Sequence, residues 1–249
     1  MNNYSLTVIT VVKNDEKNIE KTIKSVIKQK KINIEYIIID GSSKDQTLNI
    51  IKKYRTRIDK IISEKDNGIY YAMNKGIKLS KNDIIVFCNS GDFFYPNSLK
   101  KILDLFNKFD YDFVFGTVLR NYTTSSILKF GFDLKRLKYN FDFATSHTTG
   151  FFLKRKIYKK IGFYNTYFKI SSDYDLYLRL FKNNCKGGYT KKRDLIGYVA
   201  KGGFSSKVSF LNHAIEEFKI RIYNKQNLIY STIIFLNSLI KNLIKSLKN

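Results

Sequence analysis

The sequence predicts an α/β fold: a mostly parallel central sheet flanked by helices and closed by C-terminal helices. Three observations predict it. Through the first half of the chain, short apolar runs rich in β-branched residues alternate with amphipathic segments. A cluster of polar residues follows each of the first four apolar runs. The 249 residues are 43% hydrophobic and 15% aromatic, enough for one ordinary domain with a buried core.

The elements follow in order. Leu6–Val12 is a buried-strand run. Asp15–Gln29 carries Ile19, Ile23, Val26 and Ile27 on one helical face, with Asn14 or Asp15 as the cap. Ile34–Asp40 is a second strand, Gly41–Ser43 a turn and Lys44–Tyr54 a helix. Asp59–Ser63 is a third strand, Ile69–Leu79 a helix and Asp83–Asn89 a fourth strand. Asn97–Phe109 is a helix, and Asp112–Val118 a fifth strand. The second half is less regular: a strand at Phe151–Leu153, a helix at Asp173–Phe181, a loop at Gly202–Ser206, and two closing helices at Val208–Tyr223 and Leu228–Leu247. Strand–helix alternation at this spacing implies right-handed crossovers, and such sheets bind ligands beyond the carboxyl ends of their strands. The polar groups Thr10–Asn14, Asp40–Ser43, Glu64–Gly68 and Asn89–Asp92 all fall there.

Composition narrows the function classes. Forty-five Lys and Arg against 21 acids give a formal charge of +24, which calls for an anionic partner or surface. The competing reading is a global bias, with lysines covering every solvated face. No zinc-finger, RRM-like or KH-type signature accompanies the charge, so no specific nucleic-acid partner is expected. Two cysteines and no Cys/His cluster exclude a disulfide framework and a structural zinc site, and fit a reducing compartment. Neither a GxxxxGK[ST] loop nor a GxGxxG turn is present, which disfavours P-loop phosphoryl transfer and dinucleotide redox chemistry. Leu6–Val12 is too short for a signal core, and the longest uncharged C-terminal stretch, Gln226–Ile240, falls short of the roughly 20 apolar residues of a membrane span. The expected location is the cytoplasm, with peripheral attachment to the inner face of the membrane as an option.

Four constellations could carry chemistry. Asp40, ending a strand, could accept the hydroxyls of a ribose or a base N–H; it could equally cap the following turn. Asn89-Ser90-Gly91-Asp92 puts a carboxylate beside a tight glycine turn, where a hard cation takes oxygen ligands; the competing reading is an Asx-type turn. Ser63–Ile77 opens a helix with Lys65-Asp66-Asn67-Gly68 and carries Asn74 and Lys75, groups that suit an anion at a helix start. In Ser171–Leu180, Asp173 and Asp175 lie about 200° apart around a helix, so they cannot share one role.

Taken together, Ser5–Asn14, Glu35–Asp45, Ser63–Ile77, Ile84–Asp92 and Ser172–Leu180 resemble the inverting glycosyltransferase family 2, with its GT-A fold and Rossmann-like sheet, in the subgroup that builds bacterial capsule, exopolysaccharide and lipopolysaccharide. The resemblance runs in order over about residues 5–206. It implies a domain at 1–206, with a nucleotide-sugar half at 1–118 and an acceptor half at 119–206, followed by a helical extension at 207–249. It implies that Thr10, Val12 and Asn14 line the nucleotide pocket, that Asp40 contacts the uridine, and that Lys65, Asp66, Asn67, Gly68 and Asn74 close over the nucleotide. Asn89, Ser90, Gly91 and Asp92 take the place of the metal-binding Asp-x-Asp motif, with Asp92 as ligand of Mg²⁺ or Mn²⁺ and His147 as a further candidate. Asp173 matches the general base, with Asp175 as the fallback, and Ser205 lies in a loop near the donor phosphates. Ser90 and Ser172 depart from the family pattern, standing where acids are common, and so does Tyr71. His213 reads as structural.

The implied reaction is a single displacement from a nucleoside-diphosphate sugar, favoured as a UDP-sugar, onto a hydroxyl of a glycan or lipid-linked saccharide. Leu228–Leu247, apolar on one face with lysines interspersed, reads as a packing or dimer helix or as one lying on anionic lipid. The rival classes are a nucleotidyltransferase and a non-catalytic, basic nucleic-acid-binding module.

Overall fold

The computed structural model describes residues 3–29, 32–122, 125–133 and 148–247; of residues 204, 205 and 245–247 it describes the backbone alone. His147 lies outside the described residues. In chain order the strands are β1 (Leu6–Val12), β2 (Ile34–Asp40), β3 (Lys60–Ser63), β4 (Ile84–Phe87), β5 (Phe93–Phe94), β6 (Phe113–Phe115), β7 (Thr117–Asn121), β8 (Ser126–Lys129), β9 (Phe151–Lys154), β10 (Gly187–Tyr189) and β11 (Leu195–Val199). The helices are α1 (Ile19–Ile27), α2 (Thr47–Lys52), α3 (Ile69–Leu79), α4 (Ser98–Phe109), α5 (Arg155–Ile161), α6 (Ser172–Lys182), α7 (Phe210–Tyr223) and α8 (Leu228–Leu247).

The strands form a seven-stranded sheet in the order β10-β6-β9-β4-β1-β2-β3 and a four-stranded sheet in the order β5-β11-β7-β8. The large sheet is parallel except for β9, which runs against both β4 and β6. The β-branched run of β1 is buried on both faces, as a central parallel strand requires. Ile9 packs with Tyr70, Met73 and Ile77 of α3 on one side. Leu6, Val8 and Val12 pack with Ile19, Ile23 and Val26 of α1 on the other. Gly76 permits the close approach of α3 to β1, since a Cβ there would lie 2.6 Å from the Cγ2 of Ile9.

The expected boundaries differ where tertiary bonds compete with local pattern. The helix expected from Asp15 begins at Ile19, because Asn14 adopts φ 51° and the Asp15 carbonyl closes a turn with the N–H groups of Asn18 and Ile19. The helix expected from Lys44 begins at Thr47, because the Lys44 and Gln46 N–H groups donate to Asn14 Oδ1 and Glu16 Oε2 across the loop, both at 2.8 Å. The single strand expected over Asp112–Val118 is two strands in different sheets, parted at Gly116. A Cβ at Gly116 would meet Ile196 Cγ1 at 2.9 Å, so the crossing point has room only for glycine. The short β5, β8, β10 and β11 and the helix α5 carry no periodic signal long enough to read from sequence. Within the expected loop Gly202–Ser206, a 3-10 turn starts at Phe204 and runs to Lys207.

Candidate active site

The parallel strands β1, β2, β3 and β4 end on one edge, and the polar groups read from the sequence meet there. The loops are bonded to one another. Asn14 N–H donates to Ser43 Oγ at 2.8 Å. Asp15 N–H donates to Thr47 Oγ1 at 2.9 Å, and its carboxylate accepts from Ser90 Oγ at 2.6 Å. The loop after β1 is therefore pinned to those after β2 and β4.

Asp40 lies beneath this layer and is fully buried. Its carboxylate accepts from the N–H and hydroxyl of Ser43, and from Ser63 Oγ at 2.6 Å. The turn-holding reading of Asp40 thus describes its bonds in this structure. Thr10 is also fully buried, with its hydroxyl donating to the Cys88 carbonyl at 2.7 Å, and Val12 is packed in the core. Asn74 spends both ends of its amide on the backbone of Tyr164, at 2.8 and 3.0 Å. These residues shape the floor and walls, whereas Asn14, Lys65, Asn67 and Gly68 are exposed at the rim. Lys75 does not stand free for an anion, since Glu64 and Asp66 both pair with it.

Asp92 is 5% exposed. Thr149 Oγ1 donates to its Oδ2 at 2.6 Å, and the Ala200 N–H donates to its Oδ1 at 2.9 Å. Burial pushes its carboxyl up to about 7, against the pull of those two donors. Gly91, at φ 94°, makes the tight turn, and Thr22 Oγ1 ties it down by accepting from Gly91 N–H and donating to the Asp92 carbonyl. Beside this turn, Asn89 donates to Thr148 Oγ1 at 3.2 Å, while its Oδ1 is buried without a partner among the described residues. An orphaned amide oxygen in the same turn as a buried carboxylate supplies oxygen ligands of the kind a hard divalent cation takes. No group of three or more His, Cys, Asp and Glu side chains gathers among the described residues, so such a cation would take its remaining ligands from substrate and water.

Asp173 is the second residue of α6. Its Oδ1 accepts from the Tyr70 hydroxyl at 3.3 Å and from the Tyr174 N–H at 3.1 Å, and no described group donates to Oδ2. Burial pushes its carboxyl up to about 7 as well. Tyr70 sits in the first turn of α3, directly after the Lys65–Gly68 loop, so its bond carries Asp173 to the same edge as the four strand ends. Asp175 is fully buried and committed: Arg179 binds its Oδ2 and Asn224 Nδ2 donates to its Oδ1 at 2.8 Å. Ser205 lies in the 3-10 turn at Phe204–Lys207, five residues beyond Ala200.

Sequence reasoning missed Tyr70, Asp15, Thr149 and the Ala200 amide. Thr149 stood within a segment already singled out beside His147. The others bond across 75 to 108 residues of chain, a relationship that no local pattern encodes.

Comparison with known proteins accords with this geometry. Residues 7–162 match the model of glycosyl transferase family 2. A PGL/p-HBAD biosynthesis glycosyltransferase of Mycobacterium bovis is 27% identical over 166 residues, covering 64% of this chain and 62% of that protein. An uncharacterized glycosyltransferase of Rickettsia typhi is 27% identical over 193 residues, covering 73% and 60%. The chain thus matches about three fifths of the length of these curated relatives. Among solved structures, S. aureus TarS 1-349 in complex with UDP superposes with a TM-score of 0.71 at 18% identity, covering 94% of this chain and 70% of that one. The mannosyltransferase PcManGT from Pyrobaculum calidifontis, in complex with GDP-Man and Mn²⁺, superposes at 0.68 with 13% identity, covering 94% and 70%. The fold is that of the GT-A-like neighbours, and with a family model spanning more than half of its length, the chain belongs to glycosyl transferase family 2.

Proposed function

We propose that the chain transfers a sugar from a nucleoside-diphosphate donor to an acceptor hydroxyl with inversion at the anomeric carbon. The observation that carries this reading is the pair of carboxylates, Asp92 and Asp173, each pushed up to about 7 by burial at the edge where the parallel strands end, Asp173 with one oxygen to which no described group donates. Asp173 Oδ2 takes the proton of the acceptor hydroxyl. The hydroxyl oxygen bonds to the anomeric carbon as the bond from that carbon to the diphosphate breaks, and the nucleoside diphosphate leaves. A base poised near pH 7 suits that proton transfer. Asp175, held by Arg179 and Asn224, serves α6 rather than the reaction.

The donor lies on the rim formed by Asn14, Lys65, Asn67, Gly68 and Ser90, with the buried Gly91, Asp40 and Thr10 and with Asn74 supporting that rim from beneath. UDP is the favoured nucleotide, the one in the TarS complexes with UDP and UDP-GlcNAc, with GDP, carried by the PcManGT complex, as the alternative. Asp92 and Asn89 would hold a Mg²⁺ or Mn²⁺, which when bound supplies positive charge for the departing diphosphate. The acceptor is a glycan or lipid-linked saccharide of a bacterial surface polysaccharide.

The helix α8 supports placing the enzyme at a lipid surface. Ile229, Ile233, Leu236, Ile240 and Leu243 recur at four- and three-residue spacing and are about half exposed or more, while on the opposite face Phe235 packs against Phe218 of α7 and Ser231 is fully buried. No acid follows Glu217, and Lys225 and Lys241 are exposed. This charge would repel a second copy and attract anionic lipid, which favours a membrane surface as the occupant of that stripe. No helix among the described residues is long and apolar enough to cross a membrane.

The test is Mn²⁺-dependent binding of a panel of UDP- and GDP-sugars to wild type and to Asp92→Ala. Metal-dependent binding of one donor, lost in the variant, supports the reading. No binding across the panel, with tight salt-dependent binding to DNA or RNA, replaces it with a nucleic-acid-binding module.

A further inference from the structure

Glu216, on α7, makes an arrangement that the displacement reaction does not itself use. Its Oε1 accepts the N–H groups of Ile170 at 2.6 Å and Ser171 at 2.7 Å, and its Oε2 accepts that of Lys169 at 3.0 Å. These three donors precede α6, in the segment where the chain turns toward Asp173. An ordinary helix cap would instead engage N–H groups inside the first turn.

The Tyr70 hydroxyl shares its one proton between two acceptors, the carbonyl of Ile170 at 2.9 Å and the more distant Asp173 Oδ1 at 3.3 Å. One peptide unit, Ile170–Ser171, is therefore gripped from both sides: its N–H by Glu216 of α7, its carbonyl by Tyr70 of α3. The Tyr70 ring is itself fixed, stacked on Tyr164 at 5.3 Å between centroids, and Tyr164 is bonded through its backbone to Asn74 of α3. Polar chains of this kind, enclosed in low dielectric, reinforce one another and hold a single geometry.

We infer that Glu216 and Tyr70 are positioning residues for Asp173: they clamp the Ile170–Ser171 peptide between them, fix Oδ1 of the carboxylate, and leave Oδ2 for the acceptor hydroxyl. The inference rests on the reading of Asp173 as the base. The clamp draws on elements remote in sequence, so the orientation of the base depends on α7 as well as on its own helix.

The test uses the full chain labelled with ¹³C at aspartate carboxyls and follows the titration of Asp173, assigned by its absence in Asp173→Asn. The titratable and charged groups facing Asp173 are Tyr70 of α3, Tyr164 of the preceding loop, Tyr177 of α6 itself and Glu217 of α7, while Glu216 of α7 faces Tyr70. Tyr70→Phe keeps the ring and its stacking but removes a donor to the carboxylate. Its midpoint is expected to rise by about half to one pH unit. In a Glu216→Ala background, which removes the acceptor for the Ser171 N–H, the same Tyr70→Phe change is expected to move the midpoint by less than half as much, because the peptide that aims the hydroxyl is no longer held. If Glu216→Ala does not fold, Glu216→Leu, which keeps side-chain volume without an acceptor, takes its place with the same expectation. A midpoint insensitive to Tyr70→Phe, or a Tyr70 effect of equal size with and without Glu216, overturns the clamp. Sugar transfer by Asp173→Asn would remove the base reading while leaving the titration result standing; an inactive Asp173→Asn with no coupling would remove the clamp alone.

Discussion

Arg179 binds Asp175 one helical turn away, through Nε at 2.9 Å and NH2 at 2.7 Å, and its remaining donors reach the carbonyls of Ile161, Gly162 and Phe163. This pairing distinguishes two acids that the sequence presents as near equivalents. Asp175 is an anchor for α6 and the loop before it. Asp173, two residues earlier, keeps an oxygen that no described group donates to.

The two acids are therefore expected to respond oppositely to substitution. Asp175→Asn leaves Arg179 without its carboxylate in a buried site, and should cost about 3–5 kcal/mol of stability. Asp173→Asn should leave stability near wild type or higher and keep nucleotide binding, while transfer falls by at least about 100-fold, the order assigned to a lost general base. Denaturant titration and a UDP-release assay on both variants check this, and an active Asp173→Asn would move the base elsewhere.

Asp92, Asp173 and Glu217 all have carboxyls raised to about 7, chiefly by burial. Each binds its proton more tightly when folded than when unfolded. The stability they contribute is complete below the unfolded carboxylate range, near pH 4, and is lost as pH rises toward 7. The limiting slope is about 1.4 kcal/mol per pH unit for each group, smaller for the half-buried Asp173 and Glu217, which solvent screens. Urea unfolding between pH 4 and pH 8 should show a decline with rising pH, and Asp92→Asn should flatten it. An unchanged slope would mean that Asp92 is ionised throughout.

Gly76 faces Ile9 across the contact of α3 with β1. Gly76→Ala should cost about 1–3 kcal/mol through overpacking, in spite of alanine's better helix propensity. A rise in the unfolding midpoint would show that α3 can move outward without penalty.

The apolar stripe of α8 predicts binding of the full chain to vesicles containing phosphatidylglycerol, weak binding to neutral phosphatidylcholine vesicles, and loss of binding in Ile233→Asn/Ile240→Asn. If the double variant binds vesicles as before but changes the sedimentation of the free protein, the stripe covers a second copy of the chain instead.

The sequence by itself determined the order of β1 to β4 and α1 to α4. The apolar runs at Leu6–Val12 and Ile34–Asp40 and the helices at Ile69–Leu79 and Leu228–Leu247 stand where their periodicity puts them. It also determined which polar groups lie at the sheet's carboxyl edge, because parallel strands send every following loop to the same side. Tertiary structure alone decided what those groups do. Asp40, Asn74 and Lys75 have the chemistry of ligands, but their partners, Ser63, Tyr164 and Glu64, come from neighbouring elements and occupy them. Asp92 and Asp173 acquire their raised pKa values from burial in the folded chain, against the pull of donors brought from elsewhere in it, Thr149 and Ala200 on one and Tyr70 on the other. Periodicity records which face of an element is buried; it carries no record of which distant donor meets a carboxylate there, and that meeting sets the charge and direction of each group in the site.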